Sequence, residues 1–374
     1  MNIETAYLQS VALLRQLIAI PSVSRDEKAV SDHLEQYMAQ ASGLPVHRHN
    51  HNLWLIDPCY DESRPTLLLN AHIDTVKPSA SWQHNPFEPS LETVTLSDGT
   101  TEERLYGLGS NDDGASLVSL LHVFLLLTAE APAVRNYNLI YLASAEEEVS
   151  GKNGIESALP LLPPVDVALV GEPTGMQPAV AEKGLVVLDG VAHGKSGHAA
   201  RNEGINALYH ALDAIQSLRQ FRFERQSESL GPIKVTVTGI QAGTTHNVIP
   251  DTCTFMVDCR TTDAYTNEEV VQQLRGALPP VPAEVEPTTL TPRSTRLQPS
   301  GISLEHPLVR RILELGREPF GSPTLSDQAL MRFPSLKMGP GQSSRSHTAD
   351  EYIRPDEIRE ALHLYYDILR TLQL

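Results

Sequence analysis

The sequence predicts an α/β domain, a mostly parallel sheet flanked by helices, interrupted by an inserted α+β domain. Three observations carry this. Short apolar runs alternate with helical stretches at both ends of the chain. The middle of the chain instead alternates apolar and polar residues with period two. The 374 residues make roughly two average domains.

Residues 3–19 carry apolar positions at helical spacing. That helix stops before Ile20-Pro21, because a residue preceding proline disfavours the helical region. Residues 26–41 form a second amphipathic helix. Residues 53–56 and 66–69 read as strands. The run Ala115–Leu127 (ASLVSLLHVFLLL) is apolar on every side and reads as a buried helix. It falls short of the ~20 residues that a membrane span needs. Residues 137–143 and 165–170 are buried-strand candidates of the kind that build parallel sheets.

In the middle, residues 184–193 read as a strand and 205–220 as a helix. Residues 233–240 and 253–260 alternate as strands. A helix over 266–278 opens at Thr266-Asn267-Glu268-Glu269, a capping sequence. A last strand begins at 283–287. The order β-α-β-β-α-β is the ferredoxin-like split unit. Helices at 307–315 and 355–372 close the outer domain. The expected division is therefore 1–180 with 291–374 for the outer domain and 181–290 for the insertion.

Composition narrows the function. The chain is 41% hydrophobic and 20% charged, as soluble globular proteins are. Its net charge of −17 opposes a nucleic-acid backbone or an anionic membrane surface, so neither is expected as a partner. Three cysteines (Cys59, Cys253, Cys259) make no disulfide framework. The opening residues MNIETAYLQS carry no basic stretch ahead of an apolar run, so a cytoplasmic location is expected.

Five segments concentrate His, Asp and Glu at strand ends, where open α/β sheets place their sites. His72-Ile73-Asp74 sets an imidazole and a carboxylate two residues apart, facing one way on extended chain. A His and an Asp closing a loop is an equal reading of that segment alone. Gly107–Gly114 (GLGSNDDG) lacks the lysine of a phosphate loop, and its paired aspartates suit a cation, although a helix N-cap is the simpler account. Glu146-Glu147-Glu148 are adjacent carboxylates that repel unless solvated or neutralised. Gly171-Glu172-Pro173 and the loop ending at His347 follow two more apolar runs. Together, imidazole and oxygen ligands suit Zn²⁺, Co²⁺ or Mn²⁺.

This pattern resembles the M20 family of di-zinc metallopeptidases and amidohydrolases. The resemblance runs from Leu17-Ile18-Ala19-Ile20-Pro21-Ser22-Val23-Ser24 to His347-Thr348-Ala349-Asp350-Glu351, with all five segments in family order. It implies a zinc-exopeptidase-like catalytic domain with an inserted lid and dimerisation domain. It implies two Zn²⁺ per subunit: His72 and Glu172 on one, Glu148 and His347 on the other, Asp112 bridging. Asp74 would orient His72, and Glu147 would be the general base. The Asp112–Asp113 peptide would be cis. In the lid, Gly194-Lys195-Ser196-Gly197-His198 matches the segment whose His stabilises the oxyanion, often across a homodimer. The loop Gly243-Thr244-Thr245-His246-Asn247-Val248-Ile249-Pro250 matches another active-site-facing lid segment, and Asn247 and Arg260 are candidate substrate contacts.

The implied reaction is hydrolysis of an N-acyl amino acid to a carboxylate and an amine. Arg260, Arg345 and Lys183 are all cations available for the substrate carboxylate. Gly114 stands where many members carry Lys, and Glu146 where many carry Asp. With GLGSNDDG and SPTLSDQAL, these variants look closest to the acetylornithine and acylcitrulline deacetylase branch, which serves arginine biosynthesis. Alternatives are a succinyl-diaminopimelate desuccinylase, an M20 dipeptidase or carboxypeptidase, and a non-catalytic scaffold that retains the fold.

Overall fold

The computed structural model describes residues 1–130, 135–201 and 203–374. The chain divides into two compact units: Met1–Val180 with Gly301–Phe320 and Ser326–Leu374, and Ala181–Ser300 with Gly321–Leu325.

The first unit is built on a sheet whose four central strands run parallel, in the order Asn138–Ser144, Thr66–His72, Val167–Val170, Ser335–Lys337. Antiparallel neighbours flank them, Asn52–Ile56 on one side and Ala179 on the other. Side chains alternate between two cores, as the period of a strand requires. Leu67, Leu69, Leu139, Tyr141 and Leu169 enter one; Leu68, Ile140, Leu142, Ala168 and Val170 enter the other. The first core holds the helix Ala115–Thr128, buried at every position but its last. Helices Ile3–Ile18 and Pro355–Thr371 share that core.

A hairpin, Ser90–Thr95 with Thr101–Tyr106, was not among the expected elements. Its turn contains Asp98-Gly99, with Gly99 at φ 86°, a hairpin dipeptide that sequence reading passes over easily in so polar a stretch. Tyr352–Ile353 adds a third strand to it.

In the second unit, strands Gly184–His193, Lys234–Ala242, Thr252–Thr261 and Thr289–Pro292 form an antiparallel sheet. Numbered in chain order, they lie 2-3-1-4, the ferredoxin-like arrangement. Helices Ala207–Gln220 and Asn267–Gly276 share its core with the inward-facing residues. The second helix opens with the expected capping box, Thr266 and Glu269 each satisfying the other's backbone N–H. Gly190 has no side chain because the Phe255 ring occupies the space, 2.3 Å from where a Cβ would stand.

The last strand begins at Thr289 and not at 283–287. Pro279, Pro280, Pro282 and Pro287 crowd the earlier stretch, and proline has no N–H to give a ladder. The second unit also runs on to Ser300, past 290. Residues 289–297 hydrogen-bond to the first strand, through Arg293 N–H to Val187 (2.9 Å) and Leu185 N–H to Leu297 (3.0 Å), and so belong with it.

Candidate metal centre

The four parallel strands end together, and each delivers a ligand candidate. Thr66–His72 ends on His72 itself. Asn138–Ser144 leads into the short turn Glu147–Val149, Val167–Val170 into Glu172, and Ser335–Lys337 into the loop that ends at His347. Asp112 enters from the irregular turn Ser110–Gly114, whose Asp112–Asp113 peptide is cis.

His72, Asp112 and Glu148 each present a ligand atom within 4.8 Å of the others. His72 Nε2 lies 3.2 Å from Asp112 Oδ1 and 4.0 Å from Glu147 Oε2. His347 Nε2 lies 3.0 Å from Glu148 and 3.7 Å from Asp112 Oδ2. Glu172 is within electrostatic range of Asp112, Asp113 and His72. The structure thus brings His72, Asp112, Glu148 and His347 together, with Glu147 beside His72.

Asp74 acts differently from the expected way. His72 Nδ1 bonds to the main-chain oxygen of Asp74 at 2.9 Å, while the carboxylate stands 3.7 Å off. That carboxylate accepts the backbone N–H groups of Glu147 (3.0 Å) and Glu148 (3.2 Å) and the Ser24 hydroxyl (2.7 Å). Asp74 therefore fixes the imidazole with its backbone and the Glu147-Glu148 turn with its side chain.

Crowded carboxylates set the electrostatics. Burial pushes Glu147 and Glu172 well above the usual range, and neighbouring carboxylates add to it. Asp113 and Asp327 are pushed up to about 7, again chiefly by burial. For His72, burial opposes the charge, but Asp112, Glu147, Asp113 and Asp74 together raise it well above the ordinary imidazole value. So much negative charge facing two imidazoles fits divalent cations, which would offset it. The donor set, two imidazoles and three carboxylates, suits Zn²⁺ or a neighbouring transition metal.

Three further residues had no distinctive sequence signal. Buried Asp327 accepts the Ser144 hydroxyl at 2.6 Å, and Asn70 donates to the same hydroxyl at 2.9 Å. Glu351, 2% exposed, accepts backbone N–H groups of the Asp112 turn. Burial and the Asp112 carboxylate push Glu351 up to about 8, and those N–H groups pull the other way.

Arg345 is already paired within the first unit. Its guanidinium grips Glu357 in two bonds of 2.7 and 3.2 Å, largely buried, with the Tyr352 ring 4.5 Å away. It anchors the C-terminal helix and is not free to receive a substrate carboxylate. In the second unit, Gly197–His198 pairs with Val248–Ile249, which sets His198 beside Asn247. Arg260 grips Asp258 at 3.0 Å and sits toward the other end of the strand Thr252–Thr261. Lys183 donates to the Pro232 carbonyl at 2.9 Å.

Residues 180–286 match the peptidase dimerisation domain family. An acetylornithine deacetylase of Edwardsiella ictaluri is 28% identical, the match covering 93% of this chain and 94% of that protein. Among solved structures, a Staphylococcus aureus tripeptidase superposes with a TM-score of 0.76 at 18% identity, over 97% of this chain and 98% of its own. A dinuclear metal-binding M20 peptidase of Bacillus subtilis gives 0.74 at 16%, over 98% of both chains. Over nearly its whole length the chain is thus similar to M20 peptidases in fold and to acetylornithine deacetylases in sequence. It is an amide hydrolase, with the M20 fold of a mostly parallel sheet and an inserted dimerisation domain. No helix among the described residues is long and apolar enough to cross a membrane.

Proposed function

We propose that this M20 enzyme removes the acyl group from an N-acyl amino acid, N-acetylornithine or an N-acylcitrulline, in arginine biosynthesis. The observation that carries the reading is the convergence of His72, Asp112 and Glu148 within 4.8 Å, with Glu147 on the same turn as Glu148. The resemblance to the deacetylase of Edwardsiella ictaluri supports the choice of substrate.

His72 and Glu172 would hold one Zn²⁺, Glu148 and His347 the other, with Asp112 between them; Co²⁺ or Mn²⁺ would substitute. Bound there, the cations supply Lewis acidity for carbonyl polarisation and water activation. Glu147 takes a proton from the attacking water and returns it to the leaving amine nitrogen. Its raised proton affinity suits a group that must hold that proton between the two steps. His198 donates a hydrogen bond to the oxyanion as the carbonyl becomes tetrahedral. Asn247 and Arg260 contact the substrate.

The enzyme works as a cytoplasmic homodimer joined through the second unit. Strand Lys234–Ala242 lies at a sheet edge, and Ile240, Tyr209 and Leu212 are exposed on that strand and on helix Ala207–Gln220. Unpaired edges and exposed apolar side chains favour association.

The test is a side-by-side assay of N-acetylornithine, N-acetylcitrulline, N-succinyl-diaminopimelate and a dipeptide, with metal content measured on the same sample. Preferred cleavage of an acetylated amino acid by protein holding two zinc ions per chain is expected. Cleavage of only the succinyl substrate or the dipeptide would move the enzyme to those branches. Less than one zinc per chain after metal-replete purification would favour a scaffold.

A further inference from the structure

Glu351 follows His347 by four residues, yet its carboxylate serves a different stretch of chain. Oε1 accepts the N–H groups of Asn111 (2.8 Å) and Asp112 (2.9 Å), and Oε2 accepts that of Gly109 (3.2 Å). The Glu351 carbonyl accepts a fourth, from Gly107, at 3.1 Å. Gly109 is left-handed at φ 75°, which turns its N–H toward the same carboxylate. Neighbours hold Glu351 from both sides. Asp350 accepts the backbone N–H groups of Gln83 and His84, each at 2.9 Å, and Ile353 pairs with Leu105.

We infer that Glu351 is a positioning residue that fixes the Asp112 turn against the His347 loop and so places the Asp112 carboxylate for the cations it would hold. The inference rests on the metal-centre reading above. The turn Ser110–Gly114 lacks regular helical dihedrals at Asp112 and Asp113, so its own backbone does not hold Asp112 in place. One buried carboxyl group receiving three backbone N–H groups of that turn, from Gly109, Asn111 and Asp112, supplies that constraint. A glutamine at 351 would keep the shape. Its amide nitrogen would turn a donor toward at least one N–H that now meets an acceptor.

The test compares wild type with Glu351→Gln in the full-length enzyme. Amide exchange over residues 107–114 is measured without metal, and Co²⁺ binding and the cobalt visible spectrum with it. The expected results are lost protection over that turn, a second Co²⁺ bound about 10–100-fold more weakly, and an altered cobalt spectrum. kcat should fall while KM holds. Wild-type exchange, affinity and spectrum in the variant would overturn the inference. If Glu351→Gln does not fold, Glu351→Asp keeps the carboxyl group one methylene shorter and should move the same readouts less; no movement would equally overturn it. A wild-type protein that takes up no Co²⁺ would instead remove the metal-centre reading and the positioning role with it. An unaltered variant beside a metal-loaded wild type removes the positioning role alone.

Discussion

Asp74 holds His72 through its main-chain oxygen at 2.9 Å, leaving its carboxylate to the amides of Glu147 and Glu148. One residue thus orders an imidazole and the neighbouring turn at once. Asp74→Asn keeps the main-chain bond but sets an amide nitrogen against a backbone N–H. kcat should fall about 10–100-fold, as for other supporting residues around metals. Metal content should fall first at the position that uses Glu148. Steady-state kinetics with metal analysis on the same preparation checks this.

Glu147→Gln should retain two metals and the wild-type circular dichroism. kcat should fall by about 10²–10⁴, the scale of a lost general base, with KM little changed. Retained turnover would remove Glu147 from proton transfer.

Arg345 and Glu357 form a largely buried bidentate pair. Burial opposes charge on Glu357, but bonds from Arg345 and the Arg354 backbone hold its carboxyl below the usual range. Arg345→Met should cost less than the about 3–5 kcal/mol of a wholly unpaired buried charge, because Arg354 still bonds Glu357 through its guanidinium and its backbone N–H. The loss should be read as a lower denaturant midpoint, with KM unchanged for an N-acyl amino acid. A raised KM without lost stability would restore Arg345 as a substrate ligand.

His122 is fully buried between the Ser10 hydroxyl (2.9 Å), the Tyr37 hydroxyl (2.8 Å) and the Val118 carbonyl. Burial lowers its pKa to about 4, against about 6.5 in an unfolded chain. The unfolded chain therefore takes up the proton first. Stability should be intact above pH ~6.5 and decline as pH falls toward ~4, by up to about 3 kcal/mol from this group. Denaturant midpoints from pH 7 to 4 should steepen in wild type relative to His122→Leu. Equal slopes would reject the account.

The legible parts of the sequence were those with a local signature. Strands 66–72 and 138–144 carry the apolar runs Leu67–Leu69 and Leu139–Ala143 and are buried at every position because both faces are covered, and their ends announce His72 and Glu147-Glu148. The capping box at Thr266 is equally local. Less legible were arrangements whose partner is a backbone amide or a distant residue. Nothing in the letters marks the Asp74 carboxylate as bound to the amides of 147 and 148, some 70 positions away. Arg345 carries the right charge for a substrate ligand, but its partner Glu357 appears only when the C-terminal helix folds back. Glu351 reads as one more acidic residue until the turn at 109–112 packs over it.

His198 and Asn247 stand at one end of the second unit's sheet, and Arg260 toward the other. From Thr252 to Arg260 the strand spans roughly 26 Å, eight residues at ~3.3 Å each. An acylated amino acid is far shorter than that. A single copy of this sheet therefore cannot touch one such molecule with both ends. Should both ends prove necessary, specific activity will decline on dilution, and mixing inactive His198→Ala chains with inactive Glu147→Gln chains will restore part of it.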